Sequence, residues 1–278
     1  MNEIIKIDKI LLDNLCSIID KARQQVAVSV SNTMTMMYWH IGDTIHTYVL
    51  EGQRAAYGQQ IVSTLSTKLT ELYGKDFTDR NLRRMIQFSQ AFPKVEIVST
   101  LSTKLYWSHF MEVLPLKDNL AREFYVTMAA SEHWSVKRLR KEIDSMLFER
   151  TIISRKPEDF IRAELATLRD DNRLSPDLVF KNPYFLDFTG LTGFYQERDL
   201  EDMLLNGIQQ FLMELGSGFT FVERQKRMII DGEDFRLDLL FYHRKLRRLI
   251  AIDLKRTRFK PAYKGQMELY LRYLDKHE

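Results

Sequence analysis

Two short apolar segments near the C-terminus carry charge where a buried strand normally avoids it. They read Arg236-Leu237-Asp238-Leu239-Leu240-Phe241-Tyr242 and Ile250-Ala251-Ile252-Asp253-Leu254-Lys255. Their alternation is that of β-strands, in which successive side chains point to opposite faces. The stretch His243-Arg244-Lys245-Leu246-Arg247-Arg248 reads as the turn that joins them. If the turn is centred between Lys245 and Leu246, Asp238 falls opposite Asp253, with facing Cβ atoms ~5 Å apart. Like charges so placed are destabilising unless something compensates them.

A hard divalent cation of the Mg²⁺ type is the expected compensation, because it takes oxygen ligands. Lys255 shares a face with Asp253, so its ammonium is placed to hold an attacking water and to stabilise charge on a phosphoryl transition state. Glu201, near the start of the preceding helix, is a candidate third ligand. Gln266 and Lys264, at the start of the last helix, are candidates for positioning a phosphate or a water. Arg224, Lys226 and Arg227 suit a nucleic-acid backbone, and Glu223 among them is a less favoured acid. A structural reading stands beside each of these. The less favoured reading of the two acids pairs them with Arg236 and Lys255 as a cross-strand charge cluster. Glu201 serves equally well to complement a helix N-terminus.

Upstream, residues 10–49 have helical apolar spacing at Leu11, Leu12, Leu15 and Ile18, then at Met36, Trp39, Ile41 and Ile45. A second helix places Ile61, Leu65, Leu69 and Leu72 on one face and ends at Gly74. After a turn at Lys75-Asp76-Phe77, a third helix begins at Thr78 or Asp79 and stops before Pro93. Helix, glycine turn, helix is the helix-turn-helix pattern, and its second helix presents Arg80, Arg83 and Arg84 with Asn81 and Gln87. These residue types contact phosphates and base edges, although any exposed helix carries such residues. The nine residues Ile61–Leu69 recur letter for letter at Ile97–Leu105, with different flanks, so no repeat architecture follows. A further helix over Glu132–Glu149 has a basic stripe at Lys137, Arg138, Arg140 and Lys141.

Residues 151–180, with Pro157 and Pro176, read as a linker between a helical domain over 10–150 and a last unit over 181–278. Turns are expected at Asn182-Pro183-Tyr184 and at Thr189-Gly190-Leu191-Thr192-Gly193. Beyond them the spacing predicts a helix from Asp199 or Glu201 to Leu215, strands over Phe219–Arg227, Phe235–Tyr242 and Leu249–Lys255, and a helix from Tyr263. The fold class is α+β, a helical N-terminal domain followed by an α-β-β-β-α unit.

Composition narrows the function classes. No run of ~20 apolar residues is long enough to span a membrane, and the N-terminus lacks a signal-peptide core, so a cytoplasmic protein is expected. The single cysteine, Cys16, excludes an intrachain disulfide and a cysteine-based zinc site, and it is expected to be buried. Net charge is only +3, yet from Phe221 onward there are 15 Lys/Arg against 9 Asp/Glu. That imbalance points to a polyanionic partner.

These residues resemble the PD-(D/E)xK nuclease superfamily, in particular the YhcG-like nucleases of bacteria. The resemblance is carried by Asn182-Pro183-Tyr184-Phe185-Leu186-Asp187-Phe188, Glu197-Arg198-Asp199-Leu200-Glu201, Phe221-Val222 with Arg224-Gln225-Lys226-Arg227, Leu237–His243 and Asp253-Leu254-Lys255. Upstream it extends to Tyr38-Trp39-His40-Ile41-Gly42, Tyr106–Phe110 and Ala121–Tyr125. It implies a restriction-endonuclease-like core and Mg²⁺-dependent (or Mn²⁺-dependent) phosphodiester hydrolysis; DNA is the expected substrate, with RNA left open. Asp238, Asp253 and Lys255 take the motif positions, and a homodimer is an open partner. Leu237 stands where the superfamily name has Pro. The superfamily's further strand is not reached by Glu278, so a core cut short before its last strand is expected. Two other classes stay open: a non-catalytic nucleic-acid-binding or adaptor protein with a nuclease-like fold, and an interaction protein whose basic helices bind an acidic partner.

Overall fold

A computed structural model of the 278-residue chain describes residues 9–51, 58–182, 184, 197–255 and 259–278. The chain divides into two units, Met1–Ser145 and Met146–Glu278.

The first unit is helical: α1 (Lys9–Glu51), α2 (Gly58–Tyr73), α3 (Asp79–Ala91), α4 (Val95–Ser102), α5 (Trp107–Val113), α6 (Asn119–Glu132) and α7 (Val136–Asp144). Helix α2 stops where Gly74 takes φ +96°, and a 3-10 turn at Lys75–Phe77 leads to the extended Thr78 that opens α3. This is the helix-turn-helix connection expected from the sequence. Ile45, Val62, Leu82 and Met85 form the core shared by α1, α2 and α3. Gly42 lies against the backbone of α3, since a Cβ there would be 1.9 Å from the Met85 carbonyl oxygen. Phe88 packs edge-on against Phe92 and Trp107, and Trp39 donates its indole N–H to the Phe92 carbonyl at 2.8 Å. Helix α6, capped by Asp118 accepting from the Leu120 N–H, is buried from Phe124 to Ser131. Burial all round marks it as the central helix of this unit.

The helix expected over Glu132–Glu149 is divided instead. His133 ends α6 in the left-handed region, Ser135 caps α7, and Met146 takes φ +54° before α8 (Leu147–Arg150) begins.

In the second unit the expected linker is folded structure. A 3-10 turn (Ile152–Arg155), α9 (Glu158–Asp171) and α10 (Pro176–Val179) bury Ile153, Ile161, Leu165, Leu168 and Leu178. The helical spacing of Ile161, Leu165 and Leu168 is present in the sequence but lies among charges that face solvent. The two ends of this segment are tied by an antiparallel bridge between Thr151 and Lys181, with the Asn182 N–H donating to the Arg150 carbonyl at 2.7 Å.

Helices α11 (Glu197–Asn206) and α12 (Ile208–Leu215), separated at Gly207, lead into an antiparallel sheet ordered β1 (Phe219–Ile230), β2 (Glu233–His243), β3 (Arg248–Ile252), and α13 (Pro261–His277) follows. Leu204, Phe211 and Leu215 pack against Leu239 and Phe241 of β2. Tyr270 and Leu274 of α13 pack in a second cluster with Met228 and Leu240. Because Leu240 alternates with Leu239 and Phe241, the sheet is covered by helices on both faces. The α+β class expected from the sequence is the fold observed. The side chain of Cys16, Pro183 and the turn expected over 189–193 lie outside the described residues. Among the described residues no helix is long and apolar enough to cross a membrane.

Candidate active site

The ladder between β2 and β3 pairs Leu239 with Ile252, Leu240 with Ala251 and His243 with Arg248, which is the register of a turn centred between Lys245 and Leu246. One step beyond its last pair, Asp238 and Asp253 face each other. There β3 leaves the ladder, and the Leu254 N–H donates to Asp238 Oδ2 at 2.7 Å. Lys255 Nζ lies 2.8 Å from Asp253 Oδ2, with the Asp253 side chain 7% exposed and that of Lys255 24% exposed. The Lys255 ammonium also sits 5.7 Å above the Tyr263 ring.

A third member of the row stands on β1. Arg224 pairs with Leu239 and Lys226 with Leu237, so Gln225 is across from Asp238. Gln225 has φ +50°, a left-handed conformation uncommon for a residue with a side chain. Its amide nitrogen donates to Asp238 Oδ1 at 3.0 Å and to Glu201 Oε2 at 2.8 Å. Arg224 donates to the other Glu201 oxygen at 2.7 Å and to Asp202 Oδ1 at 2.7 Å. Glu201 is only 4% exposed, so its charge needs such partners.

The electrostatics of the row follow from crowding. Burial pushes the Asp253 carboxyl above the usual carboxylate range, the Lys255 ammonium opposes this, and Asp238 adds to it by charge and by a shared hydrogen bond. The donor chemistry fits a hard cation, because oxygen ligands with surplus negative charge are what Mg²⁺ binds. Among the described residues, however, no three His, Cys, Asp or Glu side chains converge closely enough to hold a metal ion. The expected triple of Asp238, Asp253 and Glu201 is therefore a facing pair, with Glu201 joined to it through the Gln225 amide.

Other sequence candidates are placed differently. Gln266 donates to the Tyr270 hydroxyl, which donates to the Arg236 carbonyl at 3.3 Å, so its amide serves the α13–β2 contact. Lys264 is exposed and lies 3.7 Å from Glu268. Lys226 pairs with Glu223 and Glu278, and Arg227 with Asp234. On α3, Arg83 is taken by Asp79 at 2.6 Å, whereas Arg80 and Arg84 have no ion pair among the described residues. Asn81 and Gln87 donate to the backbone carbonyls of Asp76 and Leu114. Sequence reading missed Gln225, Asp202 and the Leu254 N–H. The register on β1 would have pointed to Gln225, but the irregularity between Phe221 and Glu223 hides that register from simple alternation.

Comparison with known proteins agrees with this architecture. Residues 14–150 match the family described as DUF1016 N-terminal domain, and residues 177–278 match the YhcG PDDEXK nuclease domain. The chain is 33% identical over 295 aligned residues to the Escherichia coli (strain K12) protein named "Putative nuclease YhcG", covering 95% of this chain and 78% of that one. No solved structure gives a significant match. With a helical unit of the DUF1016 type followed by a sheet unit that faces two aspartates and a lysine, the chain belongs to the YhcG family of PDDEXK nuclease-domain proteins.

Proposed function

We propose that this protein is a divalent-metal-dependent nuclease that hydrolyses phosphodiester bonds in DNA. The observation that carries the reading is the Asp238–Asp253 pair with Lys255 bonded beside it. Asp238 and Asp253 would hold Mg²⁺ or Mn²⁺, with Glu201 set behind them through the Gln225 amide. A divalent ion bound there supplies Lewis-acid polarisation of the phosphoryl group and lowers the pKa of water. Lys255 donates to a non-bridging phosphate oxygen, where it stabilises charge as water attacks phosphorus and the P–O bond to the leaving strand breaks. Asp253 orients that ammonium through the 2.8 Å ion pair. Arg80 and Arg84 are assigned to backbone phosphates, and the reaction is assigned to the cytoplasm.

Cleavage of duplex, branched and single-stranded DNA and of RNA, with and without Mg²⁺ or Mn²⁺, tests the reading. Wild-type protein is expected to cut DNA only with the ion present. Asp253→Ala and Lys255→Ala are expected to lose cleavage by at least ~10²-fold while still binding DNA. Unchanged cleavage in both variants would overturn the site assignment. A second reading, a non-catalytic nucleic-acid-binding protein, is favoured by the engagement of Glu201 with Arg224. Salt-sensitive DNA binding by the wild type without cleavage in either ion would establish it.

A further inference from the structure

We propose that α1 is the surface through which two copies of this chain pair, lying antiparallel so that the N-terminal half of each α1 covers an apolar groove beside the C-terminal half of the other. Ile19, Val26 and Val30 are 50–64% exposed. Exposed apolar residues scattered singly are ordinary, but these three form a line. At about 3.6 residues per turn, Val26 and Val30 lie within about a tenth of a turn of whole turns from Ile19. Met37, Thr44 and Tyr48 fall on the same line. Trp39, Gly42 and Ile45, which α1 buries within its own unit, lie elsewhere around the helix.

At its C-terminal end the line enters a groove of about 660 Å³ between α1 and α2. Thr44, Ile45 and Tyr48 line the groove from α1, and Ile61, Leu65 and Lys68 line it from α2. One helix therefore carries an apolar ridge and an apolar groove on one face, with Ile19 and Tyr48 ~44 Å apart along it. A second copy supplies the complement of both at once, whereas any other partner would have to bring a ridge and a groove at the same spacing. With the helices antiparallel and Ile19 opposite Tyr48, Val26 meets Ile41 and Val30 meets Met37, both half-buried. The two-fold axis falls between Thr33 and Met34, so the contact is isologous and closes at two chains. Over residues 19–48 it is ~45 Å long and ~10 Å wide on each copy. Before α2 adds its share that is roughly 900 Å² in all, near the ~1,000 Å² at which specific interfaces begin.

Sedimentation of the full chain over a concentration series tests the pairing, which does not depend on the nuclease reading. Wild type is expected to be a dimer. Ile19→Glu and Val26→Glu change residues that solvent reaches in a single copy, so both should keep the wild-type helical content. Each buries an unpaired charge in the pair and should weaken dimerisation by at least ~100-fold. If the glutamate variants are unfolded, cysteine cross-linking decides. In a Cys16→Ser background, Thr33→Cys should cross-link across the two-fold axis. Ile19→Cys should cross-link to Tyr48→Cys in mixed samples but not to itself. Wild type that stays monomeric at every concentration overturns the pairing, whether its own chain, a vesicle surface or another protein then covers the line. A dimer unchanged in both glutamate variants overturns it too, as does an Ile19→Cys variant that cross-links to itself, the signature of parallel helices.

Discussion

The backbone N–H of Leu254 donates to the carboxylate of Asp238 at 2.7 Å, immediately past the last ladder pair of β2 and β3. A side chain on β2 thereby takes a backbone group of the departing strand. The same carboxylate faces Asp253 and accepts from Gln225. Asp238 consequently has a structural duty and a proposed chemical one, and the two are separable by substitution.

Asp238→Ala leaves the Leu254 N–H and the Gln225 amide without their acceptor and is expected to destabilise the sheet unit by about 2 kcal/mol. Asp238→Asn retains one carbonyl oxygen as an acceptor and should cost about 1 kcal/mol. Both variants are expected to lose metal-dependent cleavage. Urea unfolding followed by tryptophan-independent far-UV dichroism, alongside the DNA cleavage assay, checks the pair. Equal stability loss in both variants would show that the Leu254 contact is not what Asp238 contributes.

Gly42→Ala puts a methyl group where the Met85 backbone already is, 1.9 Å from its carbonyl oxygen. Backbone has no rotamer with which to yield, so α1 and α3 must separate. The expected loss is about 3 kcal/mol or more for the helical unit, the upper range of overpacking effects. Thermal melting of the chain, read beside Gly265→Ala, measures it. A Cβ at Gly265 meets nothing within 4 Å, so that helical substitution should be neutral or slightly stabilising.

Glu214 on α12 binds Arg150 at 2.8 Å, and the Lys181 ammonium donates to its backbone carbonyl. The Arg150 and Lys181 side chains are 7% and 6% exposed. Glu214→Ala removes the carboxylate that Arg150 and Lys181 share and should destabilise the second unit by about 3 kcal/mol. Arg150→Met, which removes one of those cations instead, should cost less. Chemical denaturation of the two variants decides the order.

In the helical unit, the Arg140 guanidinium hydrogen-bonds Glu112 and holds its carboxyl below the usual range. A depressed folded-state pKa contributes stability that is present above the unfolded value and is lost as pH falls through the folded one. Wild type should therefore melt higher than Glu112→Gln at neutral pH, and the difference should shrink on the acid side of the ordinary glutamate pKa. A difference independent of pH between neutral and about 3 would contradict this pairing.

Much of the candidate site was legible in the chain. Hairpin arithmetic placed Asp238 opposite Asp253 because the period of a strand is two and the turn centre sets every pair. The acid-x-Lys spacing put Lys255 beside Asp253, and the two are ion-paired although β3 ends at Ile252. Gln225 was not legible, because a register irregularity and a positive φ break the period on which such arithmetic depends. Nor were the partners of the cations. Arg224 and Lys226 read as phosphate contacts from their type alone, yet folding brings Glu201, Asp202 and Glu278 to them from distant parts of the chain.

The duplicated nine residues draw the same line between local and tertiary control. The shared spacing starts both copies as helix, with Val62 and Val98 buried alike. The first copy stays helical through Leu69 within α2, whereas the second leaves the helix after Ser102 and buries Leu105 to 1% exposure beyond the turn. Hydrophobic spacing acts over a few residues, so it sets strand register, helix faces and the aspartate pair. Where a helix stops, which acid meets which cation, and how Gln225 joins Glu201 to Asp238 depend on groups far apart in sequence, and only the packed structure brings those together.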